Sequence, residues 1–318
     1  MQSRIWLVSL SLLMANCGPE SLNEGSENAT FDKSIVLGRW DLTVYDIQGV
    51  YPSWFEIKEE NGELKGQFVG RVGNARPIRY IHFDGNQLYL SLPRQYERPA
   101  EDLLFIGKVK DGKIEGKTRS ETGHVIRFHA ERAPALEFRG EPEWGETIEL
   151  IQSELSNWMP RNPNNDNQWE IENDMLVNND TGVDLVSRQT FTDFKLHLEF
   201  NIPDSGNSGI YLRGRYEVQI EDNFGKKPDS LKAGGVYGFI VPRKMAIKPA
   251  GQWNSYDMTF LGRKITVILN DEMIINNIEI PGITGGALDS REAEPGPLML
   301  QGDHSAIRFR NIFLTPAK

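Results

Sequence analysis

The chain has 318 residues and a formal net charge of −10, with acidic and basic residues mixed along its length. This length exceeds the usual size of one domain and predicts two. Without a block of Lys and Arg, the sequence excludes nucleic acid as the expected partner, because such binding needs clustered positive charge. This distribution of charge is compatible with a neutral or anionic small ligand. No apolar run reaches the roughly 20 residues that span a bilayer.

The N-terminus has the order of residues found in export signals. A positive start, Met1 to Arg4, precedes the apolar run IWLVSLSLLMA, which is followed closely by Cys17. Cys17 is the sole cysteine, so an intramolecular disulfide is excluded, and its position resembles a bacterial lipoprotein acylation site. An ordinary signal peptide cleaved nearby is the alternative. We predict a signal peptide over residues 1–17, a flexible tether over 18–34, and an exported protein, periplasmic or at the cell surface, whose lipid anchor is its sole membrane contact.

A serine substitution tests the predicted anchor. Cys17→Ser is expected to move the protein from the membrane fraction to the soluble fraction, because serine offers no thiol for the lipid. Fractionation followed by immunoblotting measures the change, and Ser21→Ala in the predicted tether is the control. A Cys17→Ser protein that still sediments with membranes would contradict the anchor and leave the export prediction standing.

Residues 35–136 consist of short alternating segments separated by turn residues. Asn61-Gly62, Asp84-Gly85 and Asp111-Gly112 lie between such segments, and these dipeptides are the strongest short-range signal for a β-hairpin. The pattern predicts an antiparallel meander closed into a barrel-like domain. The alternation stops between residues 133 and 144, where two prolines indicate a linker.

Residues 144–318 again contain many short strand-like segments, and none carries a sustained helical period. Strands and turns at this spacing predict a two-sheet sandwich of the jelly-roll type. The predicted fold class is therefore all-β, an N-terminal antiparallel barrel-like meander followed by a jelly-roll sandwich.

Residues 210–221 alternate over their whole length, which predicts one strand with an apolar and a polar face. The polar face presents Tyr211, Arg213, Arg215, Glu217, Gln219 and Glu221. The segment follows DSGNSG, a turn whose glycines let the backbone approach a ligand. We predict a ligand site on this face, which Glu199 on the preceding strand could share. A solvated outer face is the alternative.

A second candidate lies in the segment LQGDHS, at residues 300–305. His304 follows Asp303 in a glycine-containing loop next to a strand, the setting in which a catalytic base or metal ligand is often found. A surface histidine without a function is the alternative.

Several motifs in fixed order resemble one family. SGNSGIYLRGRYEVQIEDNFG, GGVYGFIVP, PAGQWNSYDMTF, GITGGALDS and PGPLMLQGDHSAIRFRNI are similar to the 3-keto-disaccharide hydrolase family over about residues 144–316. The N-terminal GRWDLTV and YPSWFEI resemble a barrel-like domain fused to that family. The resemblance implies a concanavalin-like jelly roll that acts on glycosides whose C3 hydroxyl is oxidised to a ketone.

Such a ketone acidifies the C2 hydrogen, so a base can remove it, the C1 oxygen can leave, and water can then add to the enone. Several polar residues of the two candidate segments offer these functions, and we predict His304 or Glu217 as base and Arg213 as stabiliser of the oxyanion. The expected substrate contacts are Tyr211, Gln219, Arg215, Gln301, Tyr237, Trp253 and Glu199. No cofactor is required by this scheme, although a divalent cation held by Asp303, His304 and Glu217 could replace Arg213.

Two other functions remain open at the level of sequence. A non-catalytic lectin of the same fold would bind the sugar without turning it over, because fold does not decide function. A structural envelope protein would need the polar face to be covered by the N-terminal domain.

Overall fold

The computed structural model describes residues 31–47, 49–96, 101–119, 123–136, 140, 142–152 and 154–318. The predicted signal peptide, Cys17 and residues 18–30 of the predicted tether lie outside these ranges. Residues 32–318 form one compact unit. None of the helices in the described ranges has the length and apolar character needed to cross a membrane.

The described helical residues form two short 3-10 turns, Lys33–Ile35 and Leu155–Asn157. The strands of the first half are β1 (Gly38–Asp46), β2 (Gly49–Glu60), β3 (Glu63–Val69), β4 (Arg76–Pro77), β5 (Tyr80–Phe83), β6 (Gln87–Leu92), β7 (Leu103–Lys110), β8 (Lys113–Arg119) and β9 (Val125–Arg132). They form one nine-stranded sheet in the order β4-β3-β2-β1-β9-β8-β7-β6-β5. This sheet curls around its own apolar core, so the predicted barrel-like meander is confirmed.

Turn chemistry explains the hairpins of this sheet. Asn61 and Gly62 both have positive φ, 54° and 81°, and they alone connect β2 to β3. Asp111 and Gly112 connect β7 to β8 in the same way, with φ of 51° and 73°. Two-residue turns with two positive φ values match the right-handed twist of the strands, which is why Asn-Gly and Asp-Gly predict them.

The second half contains β10 (Ile148–Glu149), β11 (Trp158–Pro160), β12 (Glu170–Glu172), β13 (Met175–Asn178), β14 (Leu185–Phe191), β15 (Phe194–Asn201), β16 (Asn207–Leu212), β17 (Tyr216–Glu221), β18 (Asn254–Leu261), β19 (Lys264–Leu269), β20 (Glu272–Glu279), β21 (Gly296–Leu300) and β22 (Ile307–Pro316). One sheet has the order β12-β13-β22-β15-β18-β19-β20, with β10 also paired to β22. The other sheet has five strands in the order β11-β14-β21-β16-β17. Their facing apolar side chains share one core, which confirms the sandwich.

The two halves contact each other through the segment that links β20 to β21 and through the one that links β17 to β18. Trp54 of β2 donates its indole N–H to the carbonyl of Ile283 at 2.7 Å and stacks on Phe239 with ring centroids 5.8 Å apart. Arg39 of β1 donates to the carbonyl of Pro281 and forms a buried ion pair with Glu292. The division into domains at 35–136 and 144–318 stays a prediction.

The prediction of one continuous strand over residues 210–221 is wrong. Residues 207–221 form a hairpin in which β16 pairs with β17 and the chain turns at Arg213 and Gly214, with φ of 53° and 65°. The alternation survives because the partners Tyr211 and Glu217 lie opposite each other and therefore point to the same side of the sheet. Strand β15 belongs to the other sheet, so its polar side chains do not share this face.

Candidate functional site

The strand register brings distant residues together on the outer face of the five-stranded sheet, meaning the face that points away from the sandwich core. One row across the sheet consists of Met159, Val186, Met299, Tyr211 and Glu217. The next row contains Gly209 and Gln219. The main-chain N–H of Gln301 donates to the carbonyl of Gly209 at 2.9 Å. The core-facing neighbours of these residues are apolar, as the alternation predicts.

Glu217 lies on β17, the last strand of this sheet, and is only 4% exposed. Burial raises its pKa to about 8, an effect that the hydrogen bond from Tyr211 and the charge of His304 partly oppose. Its main-chain N–H donates to the hydroxyl of Thr284 at 3.0 Å. The carboxyl is therefore largely protonated at neutral pH.

The Tyr211 hydroxyl lies 2.8 Å from Glu217 Oε2 and 3.1 Å from the carbonyl oxygen of Gly285. A hydroxyl has one proton, so it cannot donate to both oxygens. Tyr211 therefore donates to one of these oxygens at a time. Its donation to Glu217 favours the carboxylate and so opposes the effect of burial on the pKa of Glu217.

The backbone and one amide shape the space around Glu217. A Cβ on Gly209 would lie 2.5 Å from Glu217 Oε1, so a larger residue at this position would displace the carboxyl. In the orientation that satisfies its neighbours, the Gln219 amide N–H₂ donates to the Ser208 carbonyl at 2.8 Å and to Glu217 Oε1 at 3.3 Å. Gln219 therefore helps to position Glu217.

His304 lies in the loop that follows β21, and its side chain is 45% exposed. Hydrogen bonds hold the loop on both sides of the histidine. The N–H of Gly302 donates to Asp184 at 3.1 Å, while Ser305 and Asn207 exchange hydrogen bonds of 2.8 and 2.9 Å. An exposed side chain on an anchored loop can face a ligand without losing its position.

His304 Nδ1 is hydrogen-bonded to Asp303. This bond is the main reason why the pKa of His304 lies above its usual value and that of Asp303 lies below it. The charges of Glu217 and Asp184 also raise the pKa of His304. With Nδ1 occupied by a carboxylate, Nε2 is the ring nitrogen that can act on a ligand.

The proposed cation site is not assembled. Within the described ranges, no group of three or more His, Cys, Asp and Glu side chains converges as a metal site. Asp303 contacts His304 directly, whereas Glu217 interacts with them through its charge. The residues present therefore do not fit the ligand set predicted from Asp303, His304 and Glu217.

The structure does not bring Arg213 or Arg215 to Glu217. Arg213 lies in the hairpin turn, where its guanidinium donates to the Gly262 carbonyl at 2.8 Å and packs over the ring of Phe260. Arg215 donates to Asp289 Oδ1 at 2.7 Å and to the Glu294 carbonyl at 2.8 Å. The left-handed turn at Arg213 and Gly214 interrupts the alternation. The prediction that Arg213 and Arg215 lie on the polar face with Glu217 is therefore wrong.

Glu199 and Trp253 also lie elsewhere. Glu199 belongs to the eight-stranded sheet and accepts two hydrogen bonds from Arg310, at 2.6 and 2.8 Å. The same guanidinium lies 4.0 Å from the centre of the Trp253 ring. Tyr237 does reach the site, because its N–H donates to the Glu217 carbonyl at 3.0 Å.

Sequence reasoning missed two groups of residues at the site. Asp184 is buried behind the His304 loop, and Arg161 pairs with it at 3.2 Å. Thr284 and Gly285 cover Tyr211 and Glu217 from the segment before β21. The glycine pair in GITGGALDS was a signal for this close backbone approach, whereas nothing in the local sequence marked Asp184 or Arg161.

Comparison with known proteins identifies one family and several similar structures. The family model of the 3-keto-alpha-glucoside-1,2-lyase-like domain matches residues 146–315. A provisionally assigned glycosyl hydrolase from Parabacteroides distasonis is 30% identical, with a TM-score of 0.46, and the match covers 53% of this chain and 82% of that chain. A second one from the same organism is 18% identical, with a TM-score of 0.47 and coverage of 54% and 94%.

A carbohydrate binding module from Bacillus subtilis, CBM66, is 14% identical, with a TM-score of 0.32 and coverage of 49% and 93%. The comparison with curated proteins found no match. Because the family model matches more than half of the sequence, the protein belongs to the 3-keto-alpha-glucoside-1,2-lyase-like family.

Proposed function

We propose that the protein cleaves 3-keto glycosides by removing the C2 proton and eliminating the substituent at C1. The observation that carries this proposal is the combination of a buried, protonated Glu217 with an exposed His304 that is oriented by Asp303. Elimination needs one group that accepts a proton and another that donates one. Burial keeps the proton on Glu217, and Asp303 orients His304 so that its Nε2 can accept one.

His304 is the proposed base. Its neutral form takes the C2 proton at Nε2, and Asp303 stabilises the imidazolium that results. The C2–H electrons form the C1–C2 double bond as the C1–O bond breaks. The departing oxygen takes the proton of Glu217 and leaves as an alcohol.

Hydration then completes the hydrolysis. Water adds at C1 of the enone, C2 recovers a proton from the imidazolium, and the proton released by water returns to Glu217. The products are the free 3-keto sugar and the alcohol. Each catalytic group ends in its starting protonation state, so a second turnover can follow without another reactant.

Polar groups near the two catalytic residues support the sugar. The Gln301 side-chain oxygen is buried and has no hydrogen-bond partner among the described residues, so a sugar hydroxyl could serve as its donor only after the neighbouring atoms move apart. Tyr211 and Gln219 hold Glu217 and orient its carboxyl. Arg213, Arg215, Glu199 and Trp253 have no part in this proposal because of where they lie.

The proposal is tested with a matched pair of substrates, p-nitrophenyl 3-keto-α-glucoside and p-nitrophenyl α-glucoside. We expect release of nitrophenol only from the keto substrate, because only a C3 ketone acidifies the C2 hydrogen. Measurement in deuterium oxide should show deuterium at C2 of the 3-keto product. Turnover of both substrates would contradict the elimination, and binding without turnover of either would favour the lectin.

A further inference from the structure

The barrel of the first half reaches the edge of the proposed site through Tyr96. Tyr237 lies beside Glu217, although the two are distant in sequence. Val218 and Val236 form an antiparallel bridge, and the Tyr237 N–H donates to the Glu217 carbonyl. Burial, and after it the side chain of Tyr96, raises the pKa of the Tyr237 hydroxyl, so these two side chains lie near each other. The barrel residue Tyr96 therefore lies near Tyr237, which itself lies beside Glu217.

Backbone contacts hold this part of the barrel against the site. The N–H of Gly286 donates to the carbonyl of Arg71 at 2.9 Å. A Cβ on Gly285 would lie 2.3 Å from the carbonyl oxygen of Gly73, so these two backbone segments pass each other at a distance that only glycine permits. Gly285 is also the residue whose carbonyl lies beside the Tyr211 hydroxyl.

The same barrel segment positions Tyr96. A Cβ on Gly73 would lie 2.7 Å from the Tyr96 ring, which shows how closely the ring rests on this backbone. The neighbouring Gln95 donates its amide to both oxygens of Asn74, at 3.0 and 3.1 Å. The backbone segment that contacts Gly285 thus also packs against the ring of Tyr96.

Tyr96 nevertheless remains 62% exposed. An aromatic ring with a hydroxyl is suited to a sugar, because its face packs on the apolar face of the ring and its edge forms hydrogen bonds. Tyr237 lies between Glu217 and Tyr96, so a ligand that contacts Tyr96 must extend beyond the sugar at Glu217.

We propose that Tyr96 is a specificity-determining residue, and that the barrel supplies a subsite for the group attached to C1 of the substrate. This inference rests on the proposed function, which places the reacting sugar at Glu217 and His304. The group that leaves then extends toward Tyr237 and Tyr96. A substrate with a second sugar in that place gains the contact with Tyr96, whereas a methyl glycoside does not reach it.

The test compares the full chain and its Tyr96→Ala variant on 3-keto-maltose, oxidised on the non-reducing ring, and on methyl 3-keto-α-glucoside. We expect the ratio of kcat/KM for the disaccharide to that for the methyl glycoside to fall about tenfold, mainly through KM of the disaccharide. Tenfold corresponds to about 1.4 kcal/mol, within the usual range for an aromatic contact. Tyr96→Phe keeps the ring and should keep the ratio within about threefold.

Tyr80→Ala is the matched control, since Tyr80 is 57% exposed and stacks on His82 within the barrel sheet. It should leave both rates and their ratio unchanged. An unchanged ratio in Tyr96→Ala would overturn the subsite. So would an equal loss on both substrates, because that result indicates a general disturbance of the site.

Failure of the proposed function would be seen separately, as wild-type protein that turns over neither keto substrate. Calorimetry with maltose and methyl α-glucoside then decides the subsite. A preference of the wild type for maltose that Tyr96→Ala removes would support it. Equal binding of the two sugars by the wild type, or a preference that survives in the variant, would overturn it.

Discussion

Glu217→Gln is expected to lower kcat by about 10² to 10⁴, the usual effect of losing a catalytic acid. The side chain keeps its shape, and its amide can still bond to Tyr211, but it has no proton to give to the departing oxygen. Steady-state kinetics on a 3-keto glucoside measures the loss. Wild-type turnover in this variant would show that the carboxyl is not part of the site.

The pH dependence of activity follows from the same residue. Glu217 must be protonated to act as an acid, so wild-type kcat should fall as pH rises through about 8. Activity should also fall at low pH, where His304 is protonated, and the pKa of His304 lies above its usual value. In Glu217→Gln the decline near pH 8 should disappear from the residual rate.

The stability of wild type should depend on pH through Glu217, whereas that of Glu217→Gln should not, because glutamine does not titrate in this range. Folding raises the pKa of Glu217 from 4.5 to about 8, so the native state holds the proton more tightly than the unfolded state. Wild-type stability therefore decreases between about pH 4.5 and pH 8, by roughly 4 to 5 kcal/mol at most. Thermal unfolding across this range should show Glu217→Gln gaining on wild type as pH rises. Glu272→Gln, on an exposed strand position, should run parallel to wild type.

His304→Ala is expected to reduce kcat at least about a hundredfold, the lower bound for losing a general base. The free energy of unfolding should change by no more than about 0.5 kcal/mol, because the side chain is half exposed and hydrogen bonds of Gly302 and Ser305 hold the loop without it. Kinetics and thermal melting on one preparation separate the two quantities. An active variant that melts like wild type would transfer the role of base to another group.

The chain provides a matched control for this experiment. His197 pairs with Asp257 at 2.7 Å, and both side chains are about as exposed as those of His304 and Asp303. That pair lies on the eight-stranded sheet and faces away from the proposed site. His197→Ala should retain wild-type kcat. An equal loss in both variants would indicate that the His304 result reflects a general effect of removing a His–Asp pair.

Local signals were sufficient for the fold class. Dipeptides such as Asn61-Gly62 and Asp111-Gly112 specify their turns through positive φ, and alternation specifies strands whose two faces differ in polarity. These effects act between residues close in the chain, so a single sequence contains them. The same alternation correctly placed Tyr211, Glu217 and Gln219 on one face of the sheet.

The all-β class and the polar character of Glu217 and His304 follow from local pattern and residue type. Which polar residues meet depends on contacts between distant parts of the chain. The left-handed turn at Arg213 removed that arginine from the face, and strand pairing brought Gln301 beside Gly209 and Gly302 beside Asp184. Pairing depends on the packing of the whole sheet, and the raised pKa of Glu217 depends on its burial beneath residues far away in the chain.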